Sequence, residues 1–204
     1  MALLPQFPLG TVLFPTMVLP LHVFEPRYRA LVHDVIEGDR AFGVVLIERG
    51  SEVGGHDKRS MFGTVATILD AEQFSDGRWA LYTVGGERFR VDRWLDDTPY
   101  PQAEITLWPD EAPVGDVEDL YRRVAAKFGR CMALASESGL DVGPVPAAAD
   151  DVGVGCMQMS ALGPFATFDK QALLGAPGPT DRLALLDRMI DDALELIRAR
   201  LTED

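Results

Sequence analysis

The chain has 204 residues, of which 47% are hydrophobic and 25% charged, enough for one large globular domain or two small ones. Its formal net charge of −13 is spread over the whole length. Neither half therefore offers the basic surface that nucleic-acid binding requires.

The sequence gives several indications of where the protein resides. The apolar segment that ends at Phe24 contains no Lys or Arg and is interrupted by prolines, which is unlike a signal peptide. No apolar run elsewhere reaches the roughly twenty residues of a membrane span. Cys131 and Cys156 each lie in a helical pattern, which favours buried thiols in a reducing compartment over a disulfide. We therefore expect a cytoplasmic protein.

The segment between Phe7 and Gly38 has the most informative residue order. Apolar residues at positions 9, 12, 13 and 14 predict a short buried strand, and prolines at positions 8, 15 and 20 restrict it to an edge or an end of a sheet. Helical spacing follows from Tyr28 onward. Pro26 suits the first helical turn and Gly38 a left-handed C-terminal cap, so a helix is predicted over residues 26–37.

Several short apolar segments then predict a series of strands. The first segment is continuous and β-branched, which indicates burial on both faces, and a mobile loop over residues 49–59 follows it. The later segments include apolar patterns of period two. Gly85 and Gly86 predict the tight turn of a hairpin. Short strands with tight turns and a single helix favour a barrel over a doubly wound sheet. The predicted strands cover residues 41–48, 61–69, 79–84, 88–95 and 103–108.

After Pro109 every apolar pattern is helical. Asp116 can cap the first of these helices and Gly139 can end it, and a connector is predicted over residues 141–149. A weaker helical pattern contains two glycines, each of which costs about 1 kcal/mol relative to Ala. Thr180 is expected to cap the longest helix. The later predicted helices cover residues 151–162, 168–174 and the segment from 180 onward.

One long series of residues near the N-terminus has a specific order: Phe7, Pro8, Leu9, Val12, Leu13, Phe14, Pro15, Leu19, Pro20, Leu21, His22, Phe24, Glu25, Pro26, Arg27 and Tyr28. This order resembles the Lon substrate-binding domain, the N-terminal module of ATP-dependent Lon proteases that also occurs as a free-standing protein. The segment over residues 169–174, with the Pro-containing loop and Leu-rich helix after it, is similar to the end of that family's helical half. Residues 152–159 depart from the family, which usually has a more hydrophobic helix there.

The resemblance implies an α+β fold in which a PUA-like β-barrel domain, residues 1–112, precedes an α-helical bundle domain, residues 113–204. It also implies a role in recognising protein segments rather than in cutting them. The change from strand to helical periodicity near Pro109 predicts a similar division from the residues alone.

The sequence lacks the common motifs of ATPases and serine hydrolases. No G-x-x-x-x-G-K-[ST] loop is present, and the nearest glycine-rich stretch lacks the hydroxyl after Lys58. Neither Ser138 nor Ser160 has the flanking glycines of a nucleophile elbow. The three histidines have no metal-ligand spacing, and neither cysteine has a near partner. We therefore predict that the chain is not an enzyme and needs no metal or other cofactor.

Two sets of residues are candidates for binding a peptide. Polar groups within the apolar strand-to-helix segment could contact a peptide edge, although a structural role in tying this turn together is the favoured interpretation. Apolar residues that exceed the needs of a core are the stronger candidates, although core packing is again the commoner outcome. The candidates are Phe14, Met17, Val18, His22, Glu25, Arg27, Tyr28 and Met61.

The leading hypothesis is a non-catalytic Lon-like module that recognises exposed apolar segments of unfolded or client polypeptides, in a groove between barrel and helices. A link to quality control or proteolysis, with a separate ATPase or protease as partner, is part of it. We expect no nucleic-acid or membrane partner. The alternative is an RNA-associated module, because PUA-like barrels elsewhere bind RNA, but the acidic balance opposes it. An unrecognised hydrolase is the least favoured hypothesis.

Overall fold

The computed structural model describes residues 1–50, 57–144, 146–147 and 149–203. The chain forms two compact units, Met1–Pro109 and Asp110–Asp204. The predicted division into domains at residue 112 stays a prediction. The first unit contains β1 (Ala2–Leu9), β2 (Val18–Val23), α1 (Pro26–Glu37), β3 (Ala41–Arg49), β4 (Lys58–Gln73), β5 (Trp79–Trp94) and β6 (Gln102–Leu107); the second contains α2 (Val117–Glu137), α3 (Val152–Leu162), α4 (Thr167–Leu174) and α5 (Pro179–Glu203).

The six strands form one mixed sheet in the order β2-β5-β4-β3-β1-β6. Among the described strands, only the neighbours β1 and β3 run parallel. The long strand β5 pairs with β2 through its first half and with β6 through its second half, which curls the sheet. The barrel predicted from sequence is therefore right only in part, because the unit is a curled mixed sheet and not a closed barrel.

The first predicted strand is misplaced. Of its four apolar residues only Leu9 lies in a strand, at the end of β1, and the other three lie between β1 and β2. Phe14 is only 1% exposed, yet it belongs to an irregular segment in which Thr16 has a φ of 65°. Burial of apolar residues was inferred correctly, but burial alone does not identify a strand. Pro20 does lie in an edge strand, since β2 pairs only with β5 among the described strands.

The predicted hairpin at Gly85 and Gly86 is wrong, because both glycines lie inside the continuous strand β5. A side chain at position 85 would place its Cβ 2.1 Å from the carbonyl oxygen of Phe14. The register between β4 and β5 shifts at the same place, between Thr64 and Ala66. Gly85 therefore permits a close backbone approach at a bulge, the other common reason for a glycine within a strand.

Helix α1 has the predicted bounds, Pro26–Glu37, with Pro26 in its first turn. It buries Tyr28, Leu31 and Val32 against the sheet. The predicted left-handed cap at Gly38 is wrong, because its φ is −109° and Arg40 takes the positive φ instead. Pro26 and the apolar spacing thus determine where the helix forms. The residue that reverses the chain is Arg40, two positions after Gly38.

Strand β3 confirms the prediction of a central strand buried on both faces. Val44 belongs to one buried cluster, with Phe42 and the apolar side of α1, whereas Val45 belongs to a second cluster with Phe89 and Ile105. Successive side chains of a strand point to opposite faces, so neighbouring residues serve two cores. Of the predicted loop over residues 49–59, positions 51–56 lie outside the described residues, and β4 begins at Lys58.

The helical unit follows the predicted order of helices. The Asp116 carboxylate accepts a hydrogen bond from the backbone N–H of Asp119, as an N-cap does, and Gly139 has a φ of 78°. Helix α5 begins at Pro179, so Thr180 does not cap it; its hydroxyl oxygen accepts from the N–H of Val114.

Two close contacts hold the helices of this unit together. A Cβ at Gly155 of α3 would lie 2.1 Å from the hydroxyl of Tyr121 in α2, which explains a glycine inside a helix. Arg182 is fully buried and donates to both carboxylate oxygens of Asp110 at 2.8 Å and to the carbonyl of Leu173 at 3.0 Å. This ion pair fixes the start of the unit to the start of α5.

Candidate functional site

A cleft of about 230 Å³ lies where β2 leads into α1. This volume is below the roughly 300–1,000 Å³ typical of small-molecule sites, so the cleft suits one or two side chains better than a whole cofactor. We call it the β2–α1 cleft. Its lining residues are Phe7, Leu9, Pro20, Leu21, His22, Val23, Phe24, Glu25 and Tyr28.

Aromatic stacking builds the floor of the β2–α1 cleft. The rings of Phe7 and Tyr28 are nearly parallel, at 14°, with centroids 4.1 Å apart. The guanidinium of Arg27 lies 4.4 Å from the centroid of the Tyr28 ring. Tyr28 thus contacts an aromatic ring from the sheet and a cation from its own helix, which fixes its position. Burial raises the pKa of the Tyr28 hydroxyl, so the phenol stays protonated at neutral pH.

The rim of the cleft is apolar and open to solvent. Phe24 is 57% exposed although it follows directly on the buried Val23. Along β2 the side chains alternate, so that Val18, Pro20 and His22 are exposed while the residues between them face the core. An exposed phenylalanine beside an apolar cleft presents a surface that a second apolar group can cover.

The outer face of the sheet extends this apolar rim. Val18 lies opposite Val84, and Pro20 lies opposite Tyr82, which is exposed on β5. Cross-strand partners share one face, so these side chains lie next to one another. Leu69 of β4 is also exposed, at the register shift beside Tyr82. The apolar surface therefore continues from the cleft across three strands.

Several charged residues at or near the cleft form ion pairs with one another. Arg27 donates to Glu25 at 3.1 Å. Arg59 donates to Asp57 at 2.7 Å and to Asp97 at 2.9 Å. Burial favours a higher pKa for Asp57, but the hydrogen bonds and charge of Arg59 outweigh it and lower the pKa. The Asp57 carboxylate therefore stays ionised at neutral pH.

The structure places the predicted site residues in several surroundings. His22, Glu25 and Tyr28 line the β2–α1 cleft, and Arg27 lies on the ring of Tyr28. Val18 is exposed on the outer face of β2, and Met61 is exposed on β4.

The two remaining candidates are less accessible. Phe14 is 1% exposed, and Met17 is half-buried against the first core. Whether any of the eight contacts a peptide stays a prediction, as does the groove expected between barrel and helices.

Sequence reasoning missed Phe24, Tyr82 and Leu69 as candidate surface residues. The exposure of Phe24 could have been inferred from the sequence, because an apolar residue just before a helix that starts at Pro26 need not be buried in the core. Tyr82 and Leu69 were not, because their shared face depends on the register of β4 and β5.

No metal site or membrane-crossing helix is found in the part of the chain that the structure describes. There, no group of three or more His, Cys, Asp or Glu side chains could hold a metal ion. Likewise, no described helix has both the length and the apolar character that crossing a bilayer requires.

Comparison with known proteins identifies the family. Residues 3–192 match the ATP-dependent protease La (LON) substrate-binding domain. The chain belongs to this family. No protease or ATPase domain is found in its 204 residues.

Solved structures of Lon N-terminal domains have the same fold. A Lon N-terminal domain protein from Xanthomonas campestris is 26% identical, with a TM-score of 0.66 over 91% of this chain and 97% of that one. The N-terminal domain of a Mycobacterium avium complex Lon protease is 17% identical, with a TM-score of 0.69 over 94% and 99%, a likeness of fold alone.

Whole Lon proteases are similar over their substrate-binding part. Lon protease of Desulfovibrio desulfuricans is 28% identical over 97% of this chain and 23% of its own length. Lon protease 2 of Herpetosiphon aurantiacus is 31% identical over 64% of this chain and 16% of its own length. The chain thus spans less than a quarter of either Lon protease.

Proposed function

We propose that this member of the Lon substrate-binding domain family is a non-catalytic protein-binding module that holds exposed apolar segments of unfolded or client polypeptides. The observation that carries the proposal is the β2–α1 cleft with the exposed Phe24 on its rim. Family membership supports a polypeptide as the ligand, because the matched domain is described as substrate-binding.

The rigid aromatic floor and open rim suit apolar anchoring. Full burial of one bulky apolar side chain contributes about 1.5–3 kcal/mol. Two or three such anchors would bind, one in the cleft and the others on the outer face. After the free-energy cost of the lost translational and rotational entropy is subtracted, the expected dissociation constant lies between micromolar and millimolar. Weak and reversible capture suits a module that samples many clients.

The proposal includes a place in proteolysis. The bound segment would pass to a separate ATPase or protease, since the matched substrate-binding domain is that of an ATP-dependent protease. We expect purified protein to hydrolyse neither ATP nor casein. Turnover that survives purification and disappears on changing one Ser or Lys would contradict this. The buried thiols of Cys131 and Cys156 are consistent with the reducing cytoplasm as the place of action.

RNA binding, the alternative, is not favoured. The net charge is −13, and the guanidinium groups of Arg88 and Arg90 lie 4.5 Å and 4.0 Å from the ring centroid of Trp108. Arg88 is itself buried. Phosphate contacts require accessible Lys and Arg side chains in a cluster.

Fluorescence anisotropy with labelled, reduced and carboxymethylated α-lactalbumin tests the proposal, because this probe is permanently unfolded. Phe24→Ala should weaken binding by about fivefold to thirtyfold, the loss of roughly 1–2 kcal/mol that truncation of an anchoring aromatic costs. Phe168→Ala is the matched control, since Phe168 is 62% exposed and lies on α4 of the helical unit. Equal effects of the two substitutions would refute the proposed site.

Salt dependence separates the two classes of ligand. Affinity for the unfolded protein should change little between about 50 and 200 mM salt, because apolar burial is not screened. Binding of a labelled single-stranded RNA with contacts to six or more phosphates would fall about a thousandfold over the same range. Tight, salt-sensitive RNA binding without polypeptide binding would overturn the proposed function.

A further inference from the structure

Helix α5 has a second apolar stripe besides the one that faces its own unit. Its buried stripe includes Leu186, Ile190 and Leu194. Leu185, Met189 and Leu196 follow another line, within about 40° of one another around the axis. Leu196 on this line is 72% exposed. A polar surface would be expected there if solvent alone covered this face.

Two open grooves meet at Leu196. One, of about 530 Å³, runs along Leu185 and Met189, and the other, of about 490 Å³, runs along Ile197 and Ala199. Both are bounded by Pro164, Ala193 and Leu196. Among the described residues, Arg200 is the one charged residue that lines the second groove. Leu196 is therefore an exposed apolar side chain beside a groove that is itself mostly apolar.

Opposite charges flank Leu196 at equal distances. Asp192 precedes it by four residues and Arg200 follows it by four, so all three lie on one i, i+4 row of the helix. Both charged side chains are exposed, and neither forms an ion pair within the described residues. They cannot pair with each other, because eight residues of helix separate them by about 12 Å.

We infer that this face of α5 binds a second copy of the chain, with the two α5 helices antiparallel about a two-fold axis at Leu196. In the commonest helix crossing, the i, i+4 rows of the two helices lie side by side. Antiparallel rows place Asp192 of each copy beside Arg200 of the other. The two Leu196 side chains then lie side by side, next to the second grooves of both copies.

The occupant is inferred to be a second copy because the charges are complementary under this symmetry. A two-fold interface brings together positions equally far before and after its centre. In that arrangement Asp192 and Arg200 form two ion pairs between the copies, and Leu196 of one copy contacts Leu196 of the other. The net charge of −13 per chain opposes association in general, so a local arrangement that pairs opposite charges is needed.

Sedimentation velocity of the full chain over a range of concentrations tests the inference. The wild-type protein should show a reversible monomer–dimer equilibrium below about 1 mM. Leu196→Asp should raise the dimer dissociation constant at least about tenfold, as loss of a central anchor does. A monomer throughout that range, or a dimer unaffected by Leu196→Asp, would overturn the inference.

Charge reversal adds a test that does not depend on the leucine. Asp192→Arg and Arg200→Asp should each weaken the dimer at least about fivefold, because symmetry creates two like-charge contacts. The double reversal should return the dissociation constant to within about threefold of wild type, because the pairs form again with exchanged partners. Additive losses in the double variant would refute the antiparallel arrangement.

Control variants use exposed charges elsewhere on α5. Glu195→Arg and Arg198→Asp make the same kinds of change on other sides of the helix, about 100° and 160° away from Leu196. They should leave the dissociation constant within about twofold of wild type. Equal losses from control and test variants would mean that net charge, and not this row of residues, governs association. Far-UV circular dichroism checks that every variant retains its helices.

Discussion

The contact between Gly85 and the segment before β2 leads to a sharp prediction about Gly85→Ala. The N–H of Gly85 donates to the carbonyl of Met17 at 2.8 Å, and its own carbonyl accepts from Thr16 at 2.7 Å. An added Cβ would lie 2.1 Å from the carbonyl oxygen of Phe14. At the neighbouring Gly86 the nearest atom would be 3.4 Å away, an ordinary contact. The two substitutions thus differ mainly in this approach.

The distances give the expected magnitudes. Backbone must move by about 1 Å to accept the methyl group at position 85, and overpacking of this kind costs about 1–3 kcal/mol. Replacing Gly by Ala also stabilises the folded state by about 0.5–1 kcal/mol, because it lowers the conformational entropy of the unfolded chain. We therefore expect Gly85→Ala to lower the free energy of unfolding by about 1–2 kcal/mol. Gly86→Ala should leave it unchanged or raise it by at most about 1 kcal/mol.

Tryptophan fluorescence during urea unfolding measures the difference in the right part of the chain. All 3 tryptophans, Trp79, Trp94 and Trp108, lie in the unit Met1–Pro109, so their signal reports on that unit alone. The midpoint should fall for Gly85→Ala with an unchanged slope. Equal midpoints for the two variants would refute the close approach, and would favour the turn that the dipeptide suggests by itself.

Three further substitutions test buried polar groups. Arg182→Met should cost the helical unit about 3–5 kcal/mol, because it leaves the carboxylate of Asp110 without its buried cation; an unchanged far-UV circular dichroism midpoint would contradict this. The lowered pKa of Asp57 means that its ion pair with Arg59 stabilises the fold above its unfolded-state pKa, near pH 4, and that this stability is lost as the pH falls through the folded-state pKa. The stability lost in Asp57→Asn should therefore be largest at neutral pH and shrink on acidification; a pH-independent difference would argue against the ion pair. Gln6→Met should leave stability equal or raise it by about 1 kcal/mol, because the Oε1 atom it removes is buried without a hydrogen-bond partner among the described residues; a loss above about 2 kcal/mol, by urea unfolding, would mean that the amide is needed.

The sequence alone determined those elements whose cause is local. Helix α1 follows from Pro26 and a run of apolar residues at helical spacing, and α2 follows from the Asp116 cap and from Gly139. Strand β3 follows from a continuous β-branched run. In each case the deciding interactions join residues a few positions apart, so a single stretch of sequence contains them. The family resemblance rested on the same kind of local order.

The candidate site was accessible from the sequence only in part. His22, Glu25 and Tyr28 were identified because they adjoin a recognisable turn, and they do line the β2–α1 cleft. Phe14 was selected as surplus to the core, yet it lies under Gly85 and is 1% exposed. An apolar side chain looks the same in sequence whether another segment covers it or not.

Only the tertiary structure decided how distant segments meet. Gly85 has the composition of a turn, but the approach of Phe14, far away in the chain, gives it a place inside a continuous strand. The apolar face shared by Pro20, Tyr82 and Leu69 exists because three strands pair in one particular register. A shift by one residue would send each of these side chains to the other face. Pairing and burial of this kind depend on residues far apart in the chain, so they are decided only when the complete sheet has formed around its core.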